Sequence, residues 1–132
     1  MTVGRYLVDT DVLIDYLRGV PQAVDFLEEA PEALLISAVS VGELFAGVRE
    51  GAERSALDAF LGAFEVVPLD RESAEKGGLF RRDFGRSHNV GLPDALIAAS
   101  AELRGARLVT LNRKHFPMLP DVLVPYSKTA GG

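Results

Sequence analysis

Five short apolar runs recur along the chain, and longer segments of mixed polarity separate them. Each run is rich in β-branched or large aliphatic residues and lacks the alternation of polar and apolar positions that marks a half-exposed strand. Such runs are typical of strands that are covered on both faces of a sheet. The sequence therefore predicts buried strands at residues 6–8, 34–36, 66–67, 108–109 and 122–124.

The segments between these strands have helical patterns. Residues 40–50 place their apolar side chains on one stripe at helical spacing, and Gly51 is expected to stop this helix. Further helices are predicted at residues 52–64, 71–86 and 93–104, the last opened by Pro93. Alternating strands and helices imply an α/β fold with a parallel sheet and helices on both of its faces.

Length and composition limit the domain organisation and the environment. The chain has 132 residues, 48% of them hydrophobic, which suffices for one domain with a buried core. We expect this domain to span residues 1–128 and the tail 129–132 to be disordered. Without a long apolar span or a secretory signal pattern, a cytoplasmic location is expected. Cysteine is absent, which excludes disulfides and thiolate metal sites, and the net charge of −5 argues against a broad basic surface for nucleic acid.

Acidic side chains follow the predicted strands at one end of the sheet. Asp9 comes directly after the first strand, Glu43 lies near the start of the helix after the second strand, and Asp94 lies on the first turn of the helix opened by Pro93. Asn112 follows the fourth strand. Ligands of open parallel sheets bind beyond the carboxyl ends of the strands, so these four groups are expected to meet there. Crowded carboxylates repel one another unless a cation neutralises them, and an oxygen-only site suits Mg²⁺ or Mn²⁺.

Each acid also fits a purely structural role. Asp9 could cap the helix that follows it, and the stretch from Ser40 to Glu43 has the pattern of a capping box. Asp94 is favoured on a first helical turn by the helix dipole. Convergence of the three acids at one edge favours a functional site. Asp70 serves as a comparison, because it also lies between a strand and a helix and is predicted to be a plain cap.

Two more acids, Asp11 and Asp15, lie in the segment after the first strand. Asp11 is expected to support the first helical turn, with a role in the outer shell of a metal site left open. Asp15, one turn further on, is predicted to face solvent or a partner.

Four motifs resemble the PIN domain, and in particular the VapC toxins of bacterial toxin–antitoxin modules. They are DTDVLIDYL, SAVSVGELFAG, LPDALIAASA and LVTLNRKHF, in the order and at about the spacing of that family. The resemblance runs from Tyr6 to about Tyr126. It implies a three-layer α/β/α sandwich around a parallel sheet, Mg²⁺- or Mn²⁺-dependent endoribonuclease activity, homodimerisation and inhibition by a VapB-like antitoxin.

The resemblance also implies site residues. Asp9, Glu43 and Asp94 match the three acids of the family's active site, and Thr10, Ser40 and Thr110 match polar positions that support it. Asn112 stands where many PIN domains have a fourth acid. Because its side chain offers a neutral oxygen, one tightly held metal ion is expected, joined by a second only when RNA binds.

These residues suggest a hydrolytic mechanism, with a metal-activated water attacking the phosphorus in line. Asp9 and Asp94 are predicted as direct metal ligands. Glu43 is expected to bind the metal through water or to orient the nucleophile, and Asn112 to hold a water. The expected products carry a 5′-phosphate and a 3′-hydroxyl.

Basic residues near the predicted site are candidates for RNA contact. They are Arg113, Lys114 and His115. Arg113 and Lys114 are placed to meet phosphates, and for His115 a surface or phosphate-contacting role is favoured over that of general base. A second basic group, Arg81, Arg82 and Arg86, is interpreted as a solvated helix face, since Asp83 lies within it.

The partner and two rival functions complete the sequence-based hypotheses. Part of the apolar N-terminal segment is a candidate groove for an antitoxin helix, although all of it could be core; its residues are Tyr16, Leu17, Val20, Phe26 and Leu27. One rival function is a haloacid dehalogenase-like phosphotransferase, since Asp9-Thr10-Asp11 follows an apolar strand. The other is a catalytically silent PIN-like binding module, which Asn112 keeps open.

Overall fold

The computed structural model describes residues 5–30 and 33–127. The predicted disordered tail 129–132 and both ends of the predicted domain lie outside the described residues. The strands are β1 (Tyr6–Val8), β2 (Leu34–Ser37), β3 (Glu65–Val67), β4 (Arg107–Val109) and β5 (Val122–Leu123). The helices are α1 (Thr10–Leu17), α2 (Pro21–Glu29), α3 (Ala38–Ala46), α4 (Ala52–Leu61), α5 (Arg71–His88) and α6 (Leu92–Leu103), with a 3₁₀ turn at Arg113–His115.

The five strands form one parallel sheet in the order β3-β2-β1-β4-β5. The chain moves outward from β1 to β2 and β3, and then returns to place β4 on the other side of β1. The strand order therefore reverses between β1 and β4, and open α/β sheets bind ligands at the carboxyl end of such a reversal. The topology singles out the ends of β1 and β4 as the place for a site.

Alternation along the strands fills two separate cores, one on each face of the sheet. Leu7, Leu35 and Leu108 pack with Ile97 of α6, whereas their neighbours Val8 and Val109 point to the opposite face. That opposite face packs against α1 to α4. Two helical layers enclosing a sheet confirm the predicted three-layer α/β/α fold. None of the helices in the described part of the chain has the length and apolar character needed to cross a membrane.

Helix α6 lies between the sheet and α5, and its composition explains how it fits. Its inward residues are mostly alanines, which are completely buried. On α5, Gly77 lies so close to Leu96 that a Cβ at this position would stand 2.5 Å from Leu96 Cδ2. Small residues on both helices therefore allow the close approach that holds α6 in place.

The prediction for α3 was wrong at both ends. The helix begins at Ala38, because Ser37 is its N-cap and accepts a hydrogen bond from the Val39 N–H at 3.1 Å. It ends at Ala46 with Gly47 as its C-cap, before the predicted stop at Gly51. The strands and the helices α4, α5 and α6 match their predictions to within a few residues.

Candidate active site

Asp9 lies at the carboxyl end of the central strand and is 6% exposed. Its backbone N–H continues the sheet by donating to Val109 O at 2.8 Å. The side chain is the N-cap of α1, with Oδ1 accepting from the Thr10 N–H at 2.8 Å. Its second oxygen, Oδ2, accepts from Thr110 Oγ1 at 2.7 Å. The capping role predicted as the alternative is thus present, together with a buried contact to the end of β4.

The environment of Asp9 opposes its ionisation. Burial, followed by the charge of Asp11, raises the pKa of Asp9 to about 7, and the charge of Asp94 adds to this rise. The hydrogen bonds from Thr110 and Thr10 act in the opposite direction and lower the pKa. Carboxyl groups with pKa values far above the ordinary range occur preferentially at functional sites. The burial of a carboxylate next to other charges destabilises the folded protein, so a functional role is the natural reason to keep it.

Asp11 belongs to the same cluster, although the sequence predicted for it mainly a role in supporting the first turn of the helix. It supports the first turn of α1 as predicted, with Oδ1 accepting from the Val12 N–H at 2.7 Å. Its Oδ2 accepts from the Leu111 N–H at 3.0 Å and lies 3.3 Å from Thr110 Oγ1. Burial raises the pKa of Asp11. The Asp11 side chain thereby ties the start of α1 to the segment that follows β4.

Ser40 and Glu43 approach this cluster from α3. Thr10 Oγ1 donates to Glu43 Oε1 at 2.7 Å and lies 2.8 Å from Ser40 Oγ. Ser40 is completely buried within the helix, so the capping box predicted from Ser40 and Glu43 is wrong, and the cap is Ser37. The side chain of Glu43 is exposed and turned toward Thr10. The structure thus places Ser40 and Glu43 at the hydroxyl of Thr10, the residue that follows Asp9.

Asp94 reaches the site from the first turn of α6, where it is half-buried. Burial raises the pKa of Asp94, and the interaction with His115 lowers it. The distance from Asp94 Oδ2 to His115 Nδ1 is 3.3 Å. His115 was predicted to contact phosphate or to have a surface role. In the structure its ring is 43% exposed and contacts Asp94, an acid of the site.

Other residues predicted for the site lie at its rim. Asn112 is exposed, and its backbone N–H donates to Thr110 Oγ1 at 3.1 Å, so it fixes the hydroxyl that contacts Asp9. Lys114 is exposed. Arg113 donates from Nη2 to Val122 O at 3.3 Å, which joins the 3₁₀ turn to β5.

Comparison with known proteins assigns the family. Residues 6–119 match the PIN domain. This chain belongs to the PIN domain family. Ribonuclease VapC10 of Mycobacterium tuberculosis is 44% identical over 124 residues, which cover 92% of each chain. Ribonuclease VapC19 of the same organism is 41% identical over 124 residues, covering 91% of this chain and 98% of that protein.

Solved structures show the same fold. A toxin–antitoxin complex from Klebsiella pneumoniae matches with a TM-score of 0.81 at 30% identity, covering 93% of this chain and 99% of that chain. VapBC2 from Rickettsia felis, solved with a DNA fragment from its promoter, matches with a TM-score of 0.74 at 25% identity, covering 90% and 96%. These similarities confirm the predicted family and exclude the haloacid dehalogenase-like alternative.

The donor atoms of this PIN domain fit a hard divalent cation by their chemistry. Asp9, Asp11, Glu43 and Asp94 offer carboxylate oxygens, which Mg²⁺ and Mn²⁺ prefer. Burial, followed by the charge of Asp11, raises the pKa of Asp9, and a bound cation would favour its ionised form. In the arrangement observed, no three acidic or histidine side chains of residues 5–30 and 33–127 converge closely enough to hold a metal ion. Hydroxyl groups and His115 engage the carboxylates instead.

Asp15 was predicted to face solvent or a partner, and this prediction was wrong. Its side chain is 2% exposed, and its Oδ2 accepts from Tyr126 Oη at 2.8 Å. Asp11 and Asp15 are four residues apart on α1, so helical spacing puts both on the face that packs on the sheet. That spacing is the signal by which the sequence could have revealed the burial of Asp15.

Proposed function

We propose that this PIN domain is an endoribonuclease of the VapC type, which hydrolyses phosphodiester bonds of RNA at Asp9, Glu43 and Asp94. The observation that carries the proposal is the buried Asp9 at the end of the central strand, whose pKa is raised to about 7 by burial and by Asp11. The names of the relatives at 44% and 41% identity support the same activity. The silent binding module is the alternative that the experiment below addresses.

Asp9 and Asp94 are the proposed ligands of Mg²⁺ or Mn²⁺. Such a cation supplies Lewis acidity, which activates a water and neutralises charge on the transferring phosphoryl group. The hydrogen bonds from Thr10 and Thr110 fix the orientation of the Asp9 carboxylate. Thr110 is in turn fixed by the backbone of Asn112. The chain therefore holds the buried Asp9 carboxylate in one orientation before any ligand arrives.

Glu43 is the proposed group that orients the attacking water. One of its oxygens, Oε1, accepts from Thr10 Oγ1, while the exposure of the side chain leaves the carboxylate accessible to solvent and substrate. Cleavage through the 2′-hydroxyl of RNA would instead need a paired acid and base. His115 contacts Asp94 and His88 contacts Ser87 Oγ, so the two histidines do not form that pair. Hydrolysis should therefore leave a 5′-phosphate and a 3′-hydroxyl.

The proposed path for RNA passes the basic residues nearest to the end of the sheet that carries Asp9, Glu43 and Asp94. Helices α5 and α6 are joined by only residues 89–91, so they run antiparallel. Gly77 of α5 lies level with Leu96 of α6, and α5 continues from there for eleven residues to His88, or about 16 Å. The last turn of α5, with the exposed Arg86, therefore lies near the start of α6, at the same end of the sheet as Asp94. We propose Arg86 and Lys114 as phosphate contacts.

A groove between α1, α3 and α4 is the proposed docking site of a VapB-like antitoxin. It has a volume of about 640 Å³ and is lined mainly by apolar side chains, among them Ile14, Leu17, Leu44, Val48 and Leu57. Glu43 lies on its wall, so a helix in the groove would bring its side chains to the acids. The toxin–antitoxin complex at 30% identity supports a partner of this kind.

This groove differs from the one predicted from the sequence. Only Leu17 of the predicted set lines it. Tyr16 stacks on Phe60 with ring centroids 5.0 Å apart, Phe26 stacks on Tyr6 at 5.9 Å, and Leu27 is core. Homodimerisation and a cytoplasmic location remain part of the proposal, and light scattering of the purified chain tests the first.

The experiment that tests the proposed function is cleavage of end-labelled RNA by the purified chain with Mg²⁺, with Mn²⁺ and with EDTA. The variants Asp9→Asn and Asp94→Asn remove charge while preserving shape. Asp70→Asn is the matched control, because Asp70 caps α5 by accepting from the Ser73 N–H at 2.9 Å, as predicted, and takes no part in the site.

We expect metal-dependent cleavage by the wild type and by Asp70→Asn, and its loss in the two site variants. Products with a 2′,3′-cyclic phosphate would contradict the hydrolytic mechanism. Absence of cleavage together with absence of calorimetric metal binding would identify the chain as a silent binding module.

A further inference from the structure

The contact between His115 and Asp94 joins two elements that are far apart in sequence. His115 ends the 3₁₀ turn after β4, and Asp94 lies on the first turn of α6. The distance from Nδ1 to Oδ2 is 3.3 Å, and the side chains are 43% and 31% exposed. An ionised carboxylate only accepts hydrogen bonds. A hydrogen bond between His115 and an ionised Asp94 across this distance therefore requires the proton on Nδ1.

The structure holds His115 in place from both sides. Its backbone N–H donates to Asn112 O at 3.0 Å, and the next backbone N–H, that of Phe116, donates to Arg113 O at 3.0 Å. Phe116 is 1% exposed and packs in the same core cluster as Ile97. Since Ile97 lies three residues after Asp94 on α6, Phe116 anchors the turn to the helix that carries Asp94. The backbone that carries the His115 ring is thus fixed by the fold.

Asp94 also lies within electrostatic range of the buried acid, because its charge is one of the causes that raise the pKa of Asp9. The contact that the geometry shows for its carboxylate is the one from Oδ2 to His115 Nδ1. A carboxylate with one oxygen held in this way has little freedom to rotate. Partners that fix a ligand's orientation affect metal affinity by about 10- to 100-fold.

We propose that His115 is a positioning residue for Asp94, donating Nδ1–H to Oδ2 and thereby restricting the rotation of the carboxylate that is the proposed ligand of the divalent cation. The inference rests on the proposed function, since it assigns the cation to Asp94. It replaces the predicted phosphate contact of His115 with a role that acts through the acid.

The first test uses the metal-free protein and needs no activity. In ¹⁵N-labelled protein with EDTA at about pH 8.5, long-range ¹H–¹⁵N spectra report which nitrogen of a neutral imidazole carries the proton. We expect the Nδ1–H form for His115 in the wild type and its loss in Asp94→Ala. The variant His88→Ala assigns the two rings. An Nε2–H form in the wild type would overturn the proposal.

The second test measures binding of Mn²⁺ alone by calorimetry to three His115 variants whose folding is checked by circular dichroism. The amide nitrogen of His115→Asn stands close to the position of Nδ1, whereas that of His115→Gln stands close to Nε2. We expect His115→Ala and His115→Gln to bind Mn²⁺ about 10-fold more weakly or worse, and His115→Asn to retain most of the affinity. His88→Ala should bind as the wild type does.

Kinetics separate positioning from RNA contact. Loss of positioning should lower kcat of His115→Ala with little change in KM for RNA, whereas Lys114→Ala should raise KM. Wild-type Mn²⁺ affinity in His115→Ala, or equal weakness of His115→Asn and His115→Ala, would refute this inference while leaving the nuclease intact. A wild type that neither binds Mn²⁺ nor cleaves RNA would refute the proposed function itself.

Discussion

Replacement of Asp9 by asparagine should stabilise the metal-free protein at alkaline pH, although it removes an acid of the proposed active site. Asp9 is buried and its pKa is raised to about 7, whereas in the unfolded chain an aspartate titrates at about 3.9. Between these two values the folded state binds more protons than the unfolded state. Its stability therefore falls as pH rises from about 4 to about 7 and then levels off.

The magnitude follows from the difference between these pKa values. Roughly three pKa units at about 1.4 kcal/mol each give an upper bound of about 4 kcal/mol of destabilisation at about pH 8. Asparagine carries no charge and so escapes this cost. Its amide can donate to Thr110 Oγ1, and the Thr110 hydroxyl proton can turn to Asp11 Oδ2, 3.3 Å away. We expect a net gain of roughly 2–4 kcal/mol at about pH 8, with most of it absent at about pH 4.5.

Urea unfolding with EDTA at the two pH values measures this difference. Asp70→Asn is the control, because hydrogen bonds from Ser73 lower the pKa of Asp70, so the loss of its carboxylate should destabilise the chain, and to the same extent at both pH values. Equal stability of Asp9→Asn and the wild type at about pH 8, or a gain that does not depend on pH, would refute the reasoning.

Three further predictions concern the groove, the α5–α6 contact and the cation. Leu17→Glu should abolish co-purification with the proposed VapB-like antitoxin and leave RNA cleavage intact, while Leu79→Glu, similarly exposed but on α5, should still co-purify. Gly77→Ala should lower the free energy of unfolding by about 1–3 kcal/mol, because the added methyl group would collide with Leu96. Gly78→Ala should not lower it, because a methyl group there meets nothing within 4 Å. Thermal melts compare the two variants. Mg²⁺ should raise Tm more at about pH 8 than at about pH 6, because it must displace the proton of the buried carboxyl; an equal shift at both pH values would contradict this.

The sequence predicted the fold well because strands and helices of this chain differ in pattern. The apolar runs at 6–8 and 108–109 are flanked by polar residues, and their lack of alternation matches burial on both faces. The edge at which the acids meet followed from the rule for parallel sheets, and the structure brings Asp9, Glu43 and Asp94 to that edge. The start of α3 was mispredicted because Ser37 and Ser40 are both suitable caps, and only the register of β2 decides between them.

Two features of the site depend on tertiary contacts that local pattern does not contain. His115 meets Asp94 only because Phe116 is drawn into the core beside α6. Asp15 is buried because Tyr126, more than a hundred residues later, donates to it. The helical spacing from Asp11 indicates that Asp15 is buried, but a single sequence identifies neither Tyr126 as the partner of Asp15 nor Asp94 as the partner of His115.

The bond from Thr110 to Asp9 joins residues 101 positions apart, and this distance sets an order of events during synthesis. At about 5–20 residues per second, β4 is made roughly 5–20 s after β1. Until then Asp9 has neither its Thr110 partner nor a neighbour on that side of β1. The groove, by contrast, is lined by residues between Ile14 and Leu57. The surface that a partner of this groove would bind is therefore synthesised before Thr110. At that stage the site around Asp9 is still incomplete on the ribosome.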